Sequence, residues 1–107
     1  MQAFAALADP TRRDIVALLA GGERTAGEIA ARFDVTQPAI SRHLKVLRES
    51  GLATVRGDAQ RRIYSLNTAE LLAAEAWMAS QRALWERRFD ALGRRLDQMA
   101  AKEGDAP

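Results

Sequence analysis

The chain has no cysteine and a single histidine, His43. Without cysteine there is no disulfide framework, no thiolate metal site and no cysteine nucleophile. One imidazole cannot by itself build a histidine-rich metal or catalytic cluster. Long apolar runs are missing too: Asp9, Pro10, Arg12, Arg13 and Asp14 interrupt the apolar-rich start, which excludes a continuous signal-peptide core there. Nothing approaches a membrane span, so a cytoplasmic protein with no membrane partner is the expectation. No Ser/His/Asp set, glycine-rich phosphate loop or His/Cys/carboxylate cluster is present either, so no enzyme, metal or cofactor is expected.

What is present suffices for one modest core: 107 residues, 48% of them apolar, predict a single domain over residues 1–107. The net charge of +2 is small, but it is unevenly spread. From Thr36 to Arg62 there are six basic residues (Arg42, Lys45, Arg48, Arg56, Arg61 and Arg62) against two acidic ones, Glu49 and Asp58, while the remainder holds ten basic and twelve acidic. A local excess of that sign is the footprint of phosphate neutralisation, and it also occurs on ordinary solvated surfaces.

The basic segment begins with a stretch that reads as a short helix marked at both ends. Thr36 is a good N-cap, Pro38 fits the first turn, and Gly51 is the residue type that closes a helix in the left-handed conformation. Ile40, Leu44 and Leu47 fall at i, i+4 and i+7 and make an apolar stripe. Arg42, Lys45 and Glu49 point roughly the opposite way, with Gln37, Ser41 and Arg48 beside them. Amide, hydroxyl and cationic groups on one helix face are what base edges in a DNA major groove can pair with.

Ahead of this helix the chain predicts three others. Gln2 to Ala8 is a short one with Phe4 and Leu7 as its apolar side. Asp9-Pro10 then supplies an N-cap and an N1 proline for a helix burying Ile15, Leu18 and Leu19 and ending at Gly21-Gly22. Arg12 and Arg13 are expected to be solvated on it. Thr25-Ala26-Gly27-Glu28 has capping-box spacing and opens a third helix, with Ile29, Ala30 and Phe33 buried. Two short amphipathic helices separated by a few residues make a helix-turn-helix, the second helix (36–50) being the one that enters a groove.

After Gly51 the period changes. Leu52 to Arg56 and Arg62 to Leu66 are β-prone runs around a polar tip, so residues 52–66 predict a hairpin with Arg56, Arg61 and Arg62 gathered at its end. Such arginines suit phosphates or a minor groove; charge on an edge strand also serves simply to block aggregation.

From residue 68 to about 101 the pattern is helical. Leu71, Met78, Trp85, Leu92 and Met99 recur every seven residues, with Phe89 and Leu96 at the alternate position and Trp77 and Leu84 widening the stripe. No glycine or proline marks a break near Ala79 to Gln81. A second copy of the chain is the expected cover for Trp77, Met78, Trp85, Phe89, Leu92 and Leu96, since soluble proteins seldom expose such a strip. Residues from Lys102 to Pro107 are expected to fray.

The order of these elements and the residues themselves resemble the ArsR family of winged-helix transcriptional repressors. The likeness covers roughly residues 3 to 67 and is most specific over Gln37-Pro38-Ala39-Ile40-Ser41-Arg42-His43-Leu44-Lys45-Val46-Leu47 and the following Arg48-Glu49-Ser50-Gly51-Leu52. Leu7-Ala8-Asp9-Pro10-Thr11-Arg12 is similar to the family's opening as well. The resemblance implies a mainly α winged helix-turn-helix of order α-α-α-α-β-β-α with a small β-hairpin and a long C-terminal dimerisation helix.

It further implies a homodimer built from the first and last helices, Phe4 and Leu7 included, that binds double-stranded DNA at an imperfect inverted repeat and represses, often its own operon. Gln37, Ser41, Arg42 and Lys45 would then read the groove, Thr36 and His43 would make positioning contacts to the DNA, and Arg56, Arg61 and Arg62 would hold the backbone. Metal-sensing members carry a Cys-x-Cys on the third helix, where this chain has Thr25 and Gly27. The carboxylates Glu70, Glu75, Glu86 and Asp90 lack an imidazole or thiolate neighbour, and no small-molecule effector is legible. The contrasting expectation is an interaction module that keeps the fold, loses DNA and docks a partner through its last helix.

Overall fold

Four of the five helix starts are fixed by a side chain that accepts a backbone N–H left over at the helix end. The computed structural model describes residues 2–104, with only the backbone of Glu103 and Gly104. In it α1 spans Gln2–Ala6, α2 Pro10–Ala20, β1 Arg24–Thr25, α3 Ala26–Ala31 and α4 Gln37–Glu49. Strands β2 (Ala53–Asp58) and β3 (Arg61–Leu66) follow, and α5 runs Thr68–Gly104. Asp9 caps α2 through the Arg12 N–H, and Thr36 caps α4 through that of Ala39. At α3 the capping box is complete: Thr25 Oγ1 accepts from the Glu28 N–H and Glu28 Oε1 from the Thr25 N–H, each at 3.1 Å.

The chain divides into two units, residues 1–74 and 75–107. The first holds the core. Ile15, Leu19, Ile29, Ile40, Leu44, Leu47, Leu52 and Tyr64 pack together there with Ala3 and Ala6 of α1. Ile40, Leu44 and Leu47 are at most 2% exposed, so the predicted apolar stripe of α4 is its buried face. Burial of side chains of this size stabilises by about 1.5–3 kcal/mol each, enough to hold a 13-residue helix that would be marginal alone. The helix closes as its residues predict: Ser50 is the C-cap, and Gly51 follows at φ +85°. Buried Ser50 donates its hydroxyl to the Leu47 carbonyl at 2.8 Å.

Two details differ from the pattern-based expectation. The third helix stops at Ala31 with Arg32 as its cap, so Phe33 lies in the connecting turn, half-buried against the core. The hairpin is part of a three-stranded antiparallel sheet of order β1-β3-β2, because Arg24 and Thr25 pair with Tyr64 and Ile63. A two-residue strand carries no periodicity to read.

In the second unit α5 is helical from Glu75 to Gly104 without interruption. Trp85, Phe89, Leu92, Leu96 and Met99 are each at least half exposed on it. The Trp85 and Phe89 rings lie 6.0 Å apart, and the Arg88 guanidinium sits 5.3 Å over Trp85. Of the expected frayed tail, Lys102 is helical, and residues 105–107 lie outside those described.

At the hairpin tip Asp58 pairs with Arg61, leaving Ala59 and Gln60 as a two-residue turn in which Ala59 has φ 58°. Positive φ at the first central position alone is the pattern of a type II′ turn, which favours glycine there. Ala59→Gly should therefore raise the unfolding free energy by about 0.5–1 kcal/mol, measured by urea denaturation, because the left-handed conformation costs alanine more than glycine.

Candidate nucleic-acid interface

With its apolar stripe buried, α4 has three other sides, spaced by the 100° turn per residue. Gln37, Ser41, Lys45 and Arg48 follow one another at i, i+4, i+8 and i+11 along the side facing the wing. They line an open groove of about 430 Å³ whose other walls are Ala26, Gly27 and Ala30 from α3 and Arg62 and Tyr64 from β3. Arg42 and Pro38 occupy the outermost side and are exposed to solvent. His43 and Val46 lie on the remaining flank, both half-buried.

The wing arginines are not gathered as the sequence suggested. Side chains alternate faces along a strand, so Arg62 shares a face with Tyr64 and turns toward the groove. Arg56 and Arg61 lie on the other face with Ile63, because Arg56 is directly opposite Ile63 in the register. Each has a carboxylate partner: Arg56 Nη2 lies 2.8 Å from Glu23 Oε2, and Arg61 Nη2 2.9 Å from Asp58 Oδ2. Lys45 approaches Glu49 at 3.9 Å, one turn along the same helix. Among the described residues Arg42, Arg48 and Arg62 pair with no carboxylate. Thus Gln37, Ser41, Lys45 and Arg62 are brought together, and Arg48 joins them although only its helical spacing foretold it.

Thr36 sits at the mouth of α4 with its hydroxyl engaged in capping, 3.3 Å from the Ala39 N–H. His43 is turned inward: its Nδ1 is 3.3 Å from Arg12 Nη1 and 3.8 Å from Asp9 Oδ2. Arg12, expected in solvent, is instead a half-buried hub. Its partners Ala5, Ala6 and His43 are 7, 6 and 31 residues away in the chain, too remote for local patterning to reveal. Of the residues expected at a dimer contact, Phe4 and Leu7 are half-buried against the core, whereas Trp77, Met78, Trp85, Phe89, Leu92 and Leu96 are 49–64% exposed. Among the described residues no three His, Cys, Asp or Glu side chains gather as a metal site, and no helix is long and apolar enough to cross a membrane.

The electrostatics of the wing depend on Glu23, which sits between β1 and α2. Its carboxyl is held below the ordinary 4.5 by the hydrogen bond from Arg56, with a second from the Ser65 hydroxyl. Asp9 is likewise held below 3.8, chiefly by the Arg12 backbone N–H. These carboxylates are ionised at neutral pH.

The chain has relatives among known helix-turn-helix regulators. A helix-turn-helix domain family matches residues 7–56. The transcriptional repressor SdpR of Bacillus subtilis is 44% identical over 75 residues, 70% of this chain and 83% of that one. The crystal structure of an ArsR family transcriptional regulator superposes with a TM-score of 0.73 at 36% identity, covering 79% of this chain and 88% of the other. This chain belongs to the ArsR family. A further ArsR-like transcriptional regulator, from Rhodococcus sp. RHA1, gives a TM-score of 0.75 at 32% identity over 85% and 86% of the two chains. The ArsR protein described here is accordingly a DNA-binding transcriptional regulator with a winged helix-turn-helix and not an enzyme.

Because Glu23 titrates below its ordinary value in the folded state, the stability it adds is fully present above about pH 4.5 and is lost as pH falls through the lowered value. An NMR titration of the Arg56 and Ser65 amides should therefore show the wing loosening below pH 4.5, with the step absent in Glu23→Gln. The same step in both proteins would assign it to another carboxylate.

Proposed function

We propose that this chain acts in the cytoplasm as a homodimeric repressor of an imperfect inverted repeat, including DNA upstream of its own coding region. The observation that carries the DNA side of this reading is the groove in which Gln37, Ser41, Lys45, Arg48 and Arg62 converge from α4 and the wing. Gln37 and Ser41 offer the amide and hydroxyl that read base edges, and Lys45 a cation for guanine or phosphate. Arg42, outermost on α4, enters deepest. Arg62 and Arg48, without carboxylate partners among the described residues, neutralise phosphates at once, whereas Arg56 and Arg61 must first exchange Glu23 and Asp58. Thr36 keeps its place as the residue that ends the loop and aims the first turn.

The dimer is supported by the exposed Trp77, Met78, Trp85, Phe89, Leu92 and Leu96 on α5 and by the remaining open surface of Phe4 and Leu7 on α1. Aromatic and long apolar side chains at this spacing suit a second, identical helix. The whole chain, residues 1–107, would then be one regulator, with 36–50 reading, 52–66 as wing and 68–101 dimerising. An exposed aromatic stripe also favours the second reading, an interaction module that docks a partner through the same helix.

Footprinting on the upstream DNA at two salt concentrations tests both. A protected inverted repeat with half-sites about 34–36 Å apart is expected, with affinity falling steeply as salt rises. No protection, there or on selected random duplexes, would leave the interaction module standing. Arg42→Ala should weaken operator binding by about 1–3 kcal/mol and relax the preference at one base position in a binding-site selection. Equal weakening on every sequence would make Arg42 a phosphate contact. Phe89→Glu should shift the dimer to monomer in analytical ultracentrifugation, since the carboxylate would be buried without a partner at the interface.

A further inference from the structure

The two arginines that follow Pro10 serve the end of α1. Arg12 Nε donates to the Ala6 carbonyl at 2.6 Å and its Nη2 to the Ala5 carbonyl at 3.3 Å. Arg13 Nη1 reaches the Leu7 carbonyl at 3.1 Å. The Ala5 carbonyl also accepts the Ala8 N–H at 3.3 Å, but a helix of five residues leaves those of Ala6 and Leu7 over, and the guanidinium groups take them. Arg12 alone goes further, placing Nη1 3.3 Å from His43 Nδ1 on the reading helix. A guanidinium only donates, so Nδ1 is the acceptor and the ring hydrogen is on Nε2. Asp9 holds the backbone of Arg12 in place, its Oδ2 accepting the Arg12 N–H at 3.0 Å.

We propose that Arg12 is a positioning residue for DNA reading, which through His43 sets the direction in which α4 presents Gln37, Ser41, Arg42 and Lys45. The inner face of α4 is apolar and constrains the helix by packing, which resists separation more than rotation about the helix axis. His43 is the one polar side chain of α4 that makes a hydrogen bond to another helix among the described residues. A planar, forked donor with one arm on α1 and another on α4 fixes that rotation, because both bonds are satisfied in one orientation only. The same fork makes the pose of α1 and that of α4 interdependent, so a partner that displaces α1 would be felt at the reading face. In this proposal His43 acts within the protein rather than as the positioning contact to DNA that the sequence suggested. This inference rests on the DNA-reading function proposed above.

The test is a double-mutant cycle read on a selected duplex and on a random one, with wild type, Arg12→Gln, His43→Leu and both together. Each single change should lower the selected-to-random affinity ratio about tenfold, and the double change no further, because both remove one charge-assisted hydrogen bond. His43→Asn, which returns an acceptor near the Nδ1 position, should restore most of the ratio. The salt slope should not change in either variant; a slope smaller by about 1 in Arg12→Gln would make Arg12 a phosphate contact and overturn the proposal.

His43→Leu keeps Arg12 on the α1 carbonyls and so serves if Arg12→Gln fails to fold. In the free protein the ¹⁵Nδ1 resonance of His43 should move in Arg12→Gln. An unmoved resonance, or losses that multiply to about a hundredfold in the double variant, would refute the coupling. A wild type that shows no preference between the two duplexes would refute the DNA-reading function instead, separately from the NMR result.

Discussion

Everything in the first unit depends on burial of one side of α4. Ile40, Leu44 and Leu47, sealed against Ile15, Ile29 and Leu52, decide which residues of that helix face the core and therefore which are left to face outward. Because the buried set is apolar and non-directional, it supplies most of the stabilisation but little of the aim. The directional contacts are few and lie around it: the Thr36 cap at the start, Ser50 and Gly51 at the end, and the Arg12–His43 contact on the flank. A reading surface built this way separates holding from pointing, and the polar residues of the groove carry neither task.

The wing shows how the same economy treats charge. Three arginines close together in sequence are dealt to opposite faces of a two-residue-period strand pair, one toward α4 and two away from it. The two that face away are held by Glu23 and Asp58, pairs exposed enough to contribute little stability while still fixing where the cations rest. Positive charge near the reading helix is thus graded, with Arg62 and Arg48 open and Arg56 and Arg61 held in reserve by a carboxylate.

Much of this was legible in the chain wherever the signal is local. The caps at Asp9, Thr25 and Thr36, the apolar stripe of α4, Gly51 and the change of period after it all act within a few residues, and the fold class follows from their order. What escaped reading was long-range or faint. Arg12 looks like any solvated arginine on a helix, since its partners come from α1 and α4. Glu23 has no local mark at all, because it meets Arg56 and Ser65, 33 and 42 residues away. The split of the wing arginines needed the strand register, which the sequence leaves open until Asp58 and Arg61 are known to be partners. The third helix ended early, with Arg32 in its closing turn and Phe33 packing against the core from the connecting turn.

Thr25 belongs to two structures at once: it opens α3 through its hydroxyl and backbone, and it pairs with Ile63 in the sheet. That places residues some forty positions apart in one hydrogen-bonded ladder. A chain joined in this way gains little from forming its helices or its hairpin alone, because the start of α3 and the middle of β3 are completed together. Folding of this region is then coupled across the chain, since the cap of α3 and the pairing of β3 share a residue and the loop between them must close for both to form.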